Sequence, residues 1–133
     1  MTSIRALVVC DDIRLEVGGT MTLVGVLADR IVVGPTAEQI AEASGIVLPR
    51  AAVYSVVAGL AGATELVWKL LLDGQPIAGG TEVHEPSFDE HRLISFVGPL
   101  RLAATGSVVA LEVSAAATTA NITHRIAVER AAA

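Results

Sequence analysis

Short runs of β-forming residues recur along this chain. Turn signals separate them, spaced about 8 to 12 residues apart. The clearest run covers residues 65–73, where one face carries Leu66, Trp68, Leu70 and Leu72. This period-2 alternation predicts a half-buried strand with Trp68 as a core anchor. Asp73-Gly74 predicts a tight hairpin turn into a partner strand near Gln75 to Val83.

Six further runs predict the remaining strands, at residues 4–17, 21–33, 51–60, 93–102, 108–113 and 122–128. The one expected helix follows Pro35, since residues 36–39 fit a capping box and Gly45 is a plausible stop. Parallel α/β folds need crossover helices, which the pattern lacks. We therefore expect one domain over residues 1–133, an antiparallel all-β sandwich of about eight strands with one short helix.

The charge pattern argues against nucleic acid as a partner. The chain has a net charge of −5, and its nine basic residues are scattered along it. Affinity for nucleic acid comes mainly from clustered basic side chains that neutralise phosphates. We therefore expect protein partners and no nucleic acid.

The cysteine content and the hydropathy pattern predict a cytoplasmic protein without a membrane span. Cys10 is the only cysteine, which excludes an intrachain disulfide, and we expect it to be a buried small hydrophobe. Charged residues interrupt every apolar run before the roughly 18 residues that cross a bilayer. Asp11 and Asp12 directly follow the opening apolar run, which we interpret as a first strand and not as a signal peptide.

The segment from Val9 to Val26 contains the pattern CDD-x-R-x-E-x-GG-x-x-x-L-x-G-V. It resembles the opening of an uncharacterised bacterial and phage-associated family of small β-sandwich proteins. The resemblance implies a phage-related setting and says nothing about activity. The matching residues are Cys10, Asp11, Asp12, Arg14, Glu16, Gly18, Gly19, Leu23, Gly25 and Val26.

The first candidate interaction site lies within this pattern. Asp11 and Asp12, with Arg14 and Glu16, could form a calcium-type or recognition site, because hard cations bind several carboxylate oxygens. The alternative is a kink in a strand whose charges pair with each other or with water. No aspartate-rich ligand loop of established spacing accompanies the pair, which favours the kink.

The second candidate site is a polar loop that contains His84, Glu85, Asp89, Glu90 and His91. Imidazole and carboxylate groups are an acceptable ligand set for zinc or manganese. The spacing matches no motif of known mechanism, so a solvated acidic loop that contacts a partner is the simpler interpretation. We predict no metal or cofactor site from this pattern.

No phosphate-binding loop, nucleophile elbow, HExxH or CxxC motif occurs in the sequence, which argues against an enzyme. We expect a non-catalytic structural or interaction module, a subunit of a larger assembly such as a phage or phage-like particle. Its partners would be copies of itself or assembly neighbours, in the cytoplasm or the virion. The alternative is a cytoplasmic ligand- or metal-binding domain, which requires Asp11, Asp12 and the His84–His91 loop to converge at one end of the sandwich.

Overall fold

Residues 1–27, 30–33 and 46–130 are described by the computed structural model, and every regular element among them is a β-strand. The strands are Ser3–Cys10 (β1), Asp12–Leu15 (β2), Met21–Val24 (β3), Arg30–Val33 (β4), Ile46–Leu48 (β5), Ala51–Ala58 (β6), Glu65–Leu72 (β7), Gln75–Val83 (β8), His91–Val97 (β9), Leu100–Leu102 (β10), Gly106–Ala115 (β11) and Thr118–Arg130 (β12). The predicted all-β class is confirmed. The predicted helix at residues 36–45 lies outside the described residues.

Two larger sheets face each other and enclose the main core. One sheet has three antiparallel strands in the order β1-β6-β9, and the other has five in the order β4-β12-β11-β7-β8. Strands β2 and β3 form a separate ribbon, as do β5 and β10. The core consists mainly of aliphatic side chains from the inner faces of both sheets, with additional residues from β10 and from the turn after β6. Its largest fully buried members are Leu60, Leu66, Leu70, Leu93, Leu102, Leu111 and Ile126.

A second, smaller core covers the outer face of the three-stranded sheet. Buried Cys10, Ile13 and Ala52 form its centre, and Met21 and Leu23 pack against them. Because Ile13, Met21 and Leu23 belong to β2 and β3, this contact fixes the ribbon on the sheet. The β2–β3 ribbon therefore forms a partial third layer.

The predicted alternation is confirmed in the strands where it is clearest. In β7, Leu66 and Leu70 are buried, and Trp68 is half-buried against the main core. Trp68 therefore packs against the core as predicted, but its indole ring is partly exposed to solvent beside Gly80. A Cβ atom at Gly80 would lie 3.3 Å from the indole Nε1, so the glycine leaves room for this ring.

The number of strand segments exceeds the prediction because three long runs are broken. The run 4–17 divides at Asp11, whose N–H donates to Val24 and Gly25 of the ribbon. The run 93–102 divides at Gly98-Pro99, where proline has no N–H to donate. The run 21–33 becomes β3 and β4, and β4 pairs with β12 in parallel, in contrast to the otherwise antiparallel pairing. Strand β5 was not predicted.

The β7–β8 hairpin has the predicted two-residue turn, followed by a bulge. Asp73 and Gly74 have φ angles of 49° and 81°, as a type I′ turn requires. Leu71 pairs with Pro76, but Leu70 pairs with Ala78, which leaves Ile77 without a partner. This extra residue reverses which side chains of β8 face the core.

A comparison of two leucine substitutions tests the position of the core. Leu111 is fully buried at the centre of β11, whereas Leu15 in β2 is 77% exposed. We expect Leu111→Ala to lower the free energy of unfolding by about 2–5 kcal/mol, because it removes buried methylene groups and leaves a cavity. Leu15→Ala should change it by less than about 0.5 kcal/mol. Urea unfolding followed by circular dichroism measures both, and equal effects would contradict the assigned core.

Candidate functional site

The two predicted candidate segments lie at opposite ends of β6. Cys10, which precedes Asp11, pairs with Ala52 near the start of β6, whereas His91 pairs with Val57 near its end. At about 3.3 Å per residue, these two positions on β6 are roughly 17 Å apart. The convergence in one shared site that the alternative hypothesis requires is therefore not found, and each segment is a separate candidate.

At the first end, Asp11 forms the corner between β1 and the ribbon. A carboxylate oxygen of Asp11 lies 2.8 Å from the Arg50 guanidinium, and Asp12 pairs with Arg14 at 3.6 Å. Asp12 also accepts a hydrogen bond of 2.9 Å from the N–H of Ile13. These contacts agree with the interpretation as a kink with paired charges. Arg14 and Glu16, the other two predicted residues, are exposed.

The glycines of the sequence pattern have structural roles at this corner. Gly25 has a φ angle of +64°, and a Cβ atom there would lie 2.8 Å from the Cβ of Asp11. A side chain at position 25 would therefore collide with Asp11, and only glycine fits this corner without strain. Gly18 and Gly19 also have positive φ angles and form the turn of the β2–β3 ribbon.

Cys10 is 1% exposed, as predicted, and its thiol points at the Ala52 carbonyl oxygen at 3.6 Å. Burial raises the pKa of this thiol, and the carboxylates of Asp12 and Asp11 raise the pKa further. The thiolate is the reactive form of cysteine, so both influences suppress nucleophilic chemistry. Cys10 therefore acts as a core residue.

At the second end, four polar groups form a continuous chain between the two sheets. The His84 Nε2 atom lies 2.8 Å from the Phe88 carbonyl oxygen, and its Nδ1 atom lies 3.2 Å from Nδ1 of His91. The His91 Nε2 atom lies 2.5 Å from a carboxylate oxygen of Glu82. We call Glu82, His84 and His91 the edge cluster, because they lie where the edge strands β8 and β9 face each other.

The bulge at Ile77 and the pairing of β9 position this cluster. After the bulge, Glu82 lies opposite Leu66, so its side chain is on the core side of the five-stranded sheet. His91 begins β9 on the same inner face as Leu93, which is fully buried. The two sheets thus direct one carboxylate and one imidazole toward each other at their common edge.

The loop 84–90 is held against the neighbouring turn at residues 60–64. The N–H of His84 donates to the Thr64 carbonyl at 2.9 Å, and the N–H of Gly62 donates to the Pro86 carbonyl at 2.8 Å. The N–H of Leu60 donates to the Asp89 carbonyl at 2.9 Å. These backbone hydrogen bonds fix the loop, and the fixed loop holds the buried imidazole of His84 in one orientation.

The simple prediction of a solvated loop is wrong for His84, which is 3% exposed. It describes the other polar residues better, since Glu85, Asp89 and Glu90 are exposed. Glu90 pairs with Arg5 of β1 at 3.3 Å. The loop therefore has a buried histidine side and a solvated acidic side.

Two residues that belong to these sites were not predicted from the sequence. Arg50 follows Pro49 at the start of a predicted strand, and only the pairing of that strand with β1 places it beside Asp11. Glu82 lies within a predicted strand, and its inward direction depends on the bulge at Ile77. Both positions depend on strand pairing, which the neighbouring sequence does not reveal.

Among the described residues, no group of three or more histidine, cysteine, aspartate or glutamate side chains is arranged to bind a metal ion. The same part of the chain contains no helix with the length and apolar character needed to cross a membrane. No known family model matches the sequence. A search of curated proteins finds no significant relative.

The raised pKa of Cys10 predicts a pH dependence of stability. Above about pH 8.5 the thiol ionises in the unfolded chain, while the folded chain retains the proton until its higher pKa is reached. The free energy of unfolding should therefore fall in this range, with a contribution from Cys10 of at most about 1.4 kcal/mol per pH unit.

Urea titrations at a series of alkaline pH values, on the natural chain and on Cys10→Ala, isolate this contribution. The alanine variant retains every other titrating group, so the difference between the two pH profiles belongs to the thiol. We expect a steeper decline for the natural chain. Parallel profiles would contradict the assignment of a buried, protonated thiol.

Proposed function

We propose that this protein is a non-catalytic interaction module that pairs with a second copy of itself through the edge strand β9. The observation that carries the proposal is that one edge of this strand has no partner strand in the part of the chain that the structure describes. Among the described residues, β9 pairs only with β6, along seven consecutive positions from His91 to Val97. An unpaired row of backbone N–H and C=O groups is a template for strand addition.

The contrast with β8, the edge of the opposite sheet, supports the choice of β9. Strand β8 carries Pro76, the bulge at Ile77 and the inward carboxylate of Glu82. Proline, bulges and inward charges are the devices with which proteins block pairing at an edge. Strand β9 has no proline and no bulge in its pairing with β6. Of these two edges, β9 is the one suited to a partner strand.

The outer face of β9 complements itself in a two-fold arrangement. Arg92, Ile94 and Phe96 lie on this face, and Phe96 is 65% exposed. If two antiparallel β9 strands pair about an axis at Ile94, Arg92 of one copy lies beside Phe96 of the other. A guanidinium beside an aromatic ring is a favourable cation–π contact. The two-fold axis forms this contact twice, as isologous dimers do.

Such a dimer would be the unit of a larger assembly, and a phage or phage-like particle is our proposed setting, in the virion or in the cytoplasm where it assembles. The resemblance of residues 9–26 to a phage-associated family supports this setting. The dimer joins two three-stranded sheets into one of six strands. It leaves the five-stranded sheet of each copy available for further neighbours.

Size-exclusion chromatography with light scattering, over a range of concentrations, tests the dimer. Phe96→Lys places a like charge beside Arg92, and we expect it to weaken dimerisation at least tenfold. Phe88→Lys is the matched control, since Phe88 is 64% exposed but lies in the loop and outside β9. A monomeric natural chain at the highest concentration, or equal effects of the two variants, would overturn the proposal.

A disulfide test reports the register. Opposed residues in antiparallel strands have Cα atoms about 4.5–5.5 Å apart, which is within the range of a disulfide. Ile94→Cys should therefore form a cross-linked dimer under mild oxidation, whereas Phe88→Cys should not. Equal cross-linking of both variants would indicate random collisions and would contradict pairing centred on Ile94.

A further inference from the structure

The edge cluster has a hydrogen-bonding pattern that calls for a cation between its two imidazole rings. A carbonyl oxygen can only accept a hydrogen bond, so His84 carries its hydrogen on Nε2, beside Phe88. A carboxylate is likewise an acceptor, so His91 carries a hydrogen on Nε2, beside Glu82. If both rings are neutral, each Nδ1 atom then has a lone pair and no hydrogen. The two Nδ1 atoms face each other at 3.2 Å. Two opposed lone pairs repel unless a positive charge lies between them.

The distance between the two Nδ1 atoms fits a shared metal ion. Imidazole nitrogens lie about 2.0–2.1 Å from Zn²⁺, and tetrahedral geometry then places two of them about 3.3 Å apart. The observed separation is 3.2 Å. The rings are inclined by 66° with centroids 5.3 Å apart, so they meet at an angle instead of stacking.

The partners of the two Nε2 atoms match those found around metal-binding histidines. Such histidines almost always donate their second N–H to a carboxylate or a backbone carbonyl, which fixes the ring and makes its free nitrogen more basic. His91 has the carboxylate of Glu82 in this position, and His84 has the carbonyl of Phe88. His84 is also held by its buried position under the loop.

We propose that His84 and His91 bind a divalent transition-metal ion, Zn²⁺ first among them, through their Nδ1 atoms. Imidazole is a preferred ligand of zinc, copper and nickel ions. Two protein ligands leave the remaining coordination positions to water or to an external group. His91 and Glu82 line a surface groove with Val83, Arg92 and Ile94, which provides the route by which ion and water enter. The two ligands do not take part in β9 pairing, although Arg92 and Ile94 border both this groove and the proposed dimer contact.

Isothermal titration of the chelator-treated full chain with ZnCl₂ at neutral pH is the first test. We expect saturation at one ion per chain. Glu82→Gln keeps both ligands but removes the charge that orients His91, and it should weaken binding about 10- to 100-fold. His91→Gln should abolish saturable binding. His124→Gln removes the remaining histidine of the chain, on β12, and should leave the stoichiometry and the affinity unchanged.

Imidazole ¹⁵N NMR separates a metal ion from a bridging proton. On addition of Zn²⁺ the Nδ1 resonances of His84 and His91 should shift while both Nε2 atoms remain protonated. Circular dichroism confirms that Glu82→Gln is folded, so that its weaker binding reports on the site and not on the fold. Absence of saturable binding, a proton shared between the Nδ1 atoms that Zn²⁺ does not displace, or an equal loss in His124→Gln would overturn the proposal.

Discussion

The structure depends on the rule that successive side chains of a strand point to opposite faces, so that a strand offers only every second residue to a core. Strand β11 follows this rule along its whole length, with Ser107, Val109, Leu111, Val113 and Ala115 buried in turn. Aromatic residues are only 3% of the chain, so the core consists of short aliphatic side chains that must pack closely. Only an irregularity of the backbone, such as a β-bulge, can switch which alternate residues of a strand face the core.

This rule explains which parts of the fold the sequence predicts. Alternation is a local property, and it correctly assigns the inner face of β7. The Asp73-Gly74 pair is a local signal too, and it correctly predicts the turn that follows. The kink at Asp11 is also predicted from the sequence, but the residues at which β1 and β9 end become visible only when the pairing partners are known. The sheet order and the parallel pairing of β4 with β12 depend on contacts between distant segments, which a single sequence does not reveal.

The candidate sites show the same division between local and distant causes. The polar character of the 84–91 segment is evident from its composition. Its contact with Glu82, through His91, cannot be predicted from the sequence. A regular hairpin after Asp73-Gly74 would have placed Glu82 opposite Glu65, on the outer face of the sheet. The bulge at Ile77 moves it opposite Leu66 and turns it inward. One unpaired residue thus converts a surface carboxylate into a member of the edge cluster.

Strand β9 connects the two proposals physically, because its inner face carries His91 and its outer face carries Phe96. An ion held by His84 and His91 would tie the first residue of β9 to the loop before it. Ordering an edge strand in advance reduces the conformational entropy that is lost when a partner strand pairs with it. By thermodynamic reciprocity, pairing would strengthen ion binding by the same factor. Each site can exist without the other. In a protein with both, the affinity of dimerisation would depend on the concentration of the metal ion.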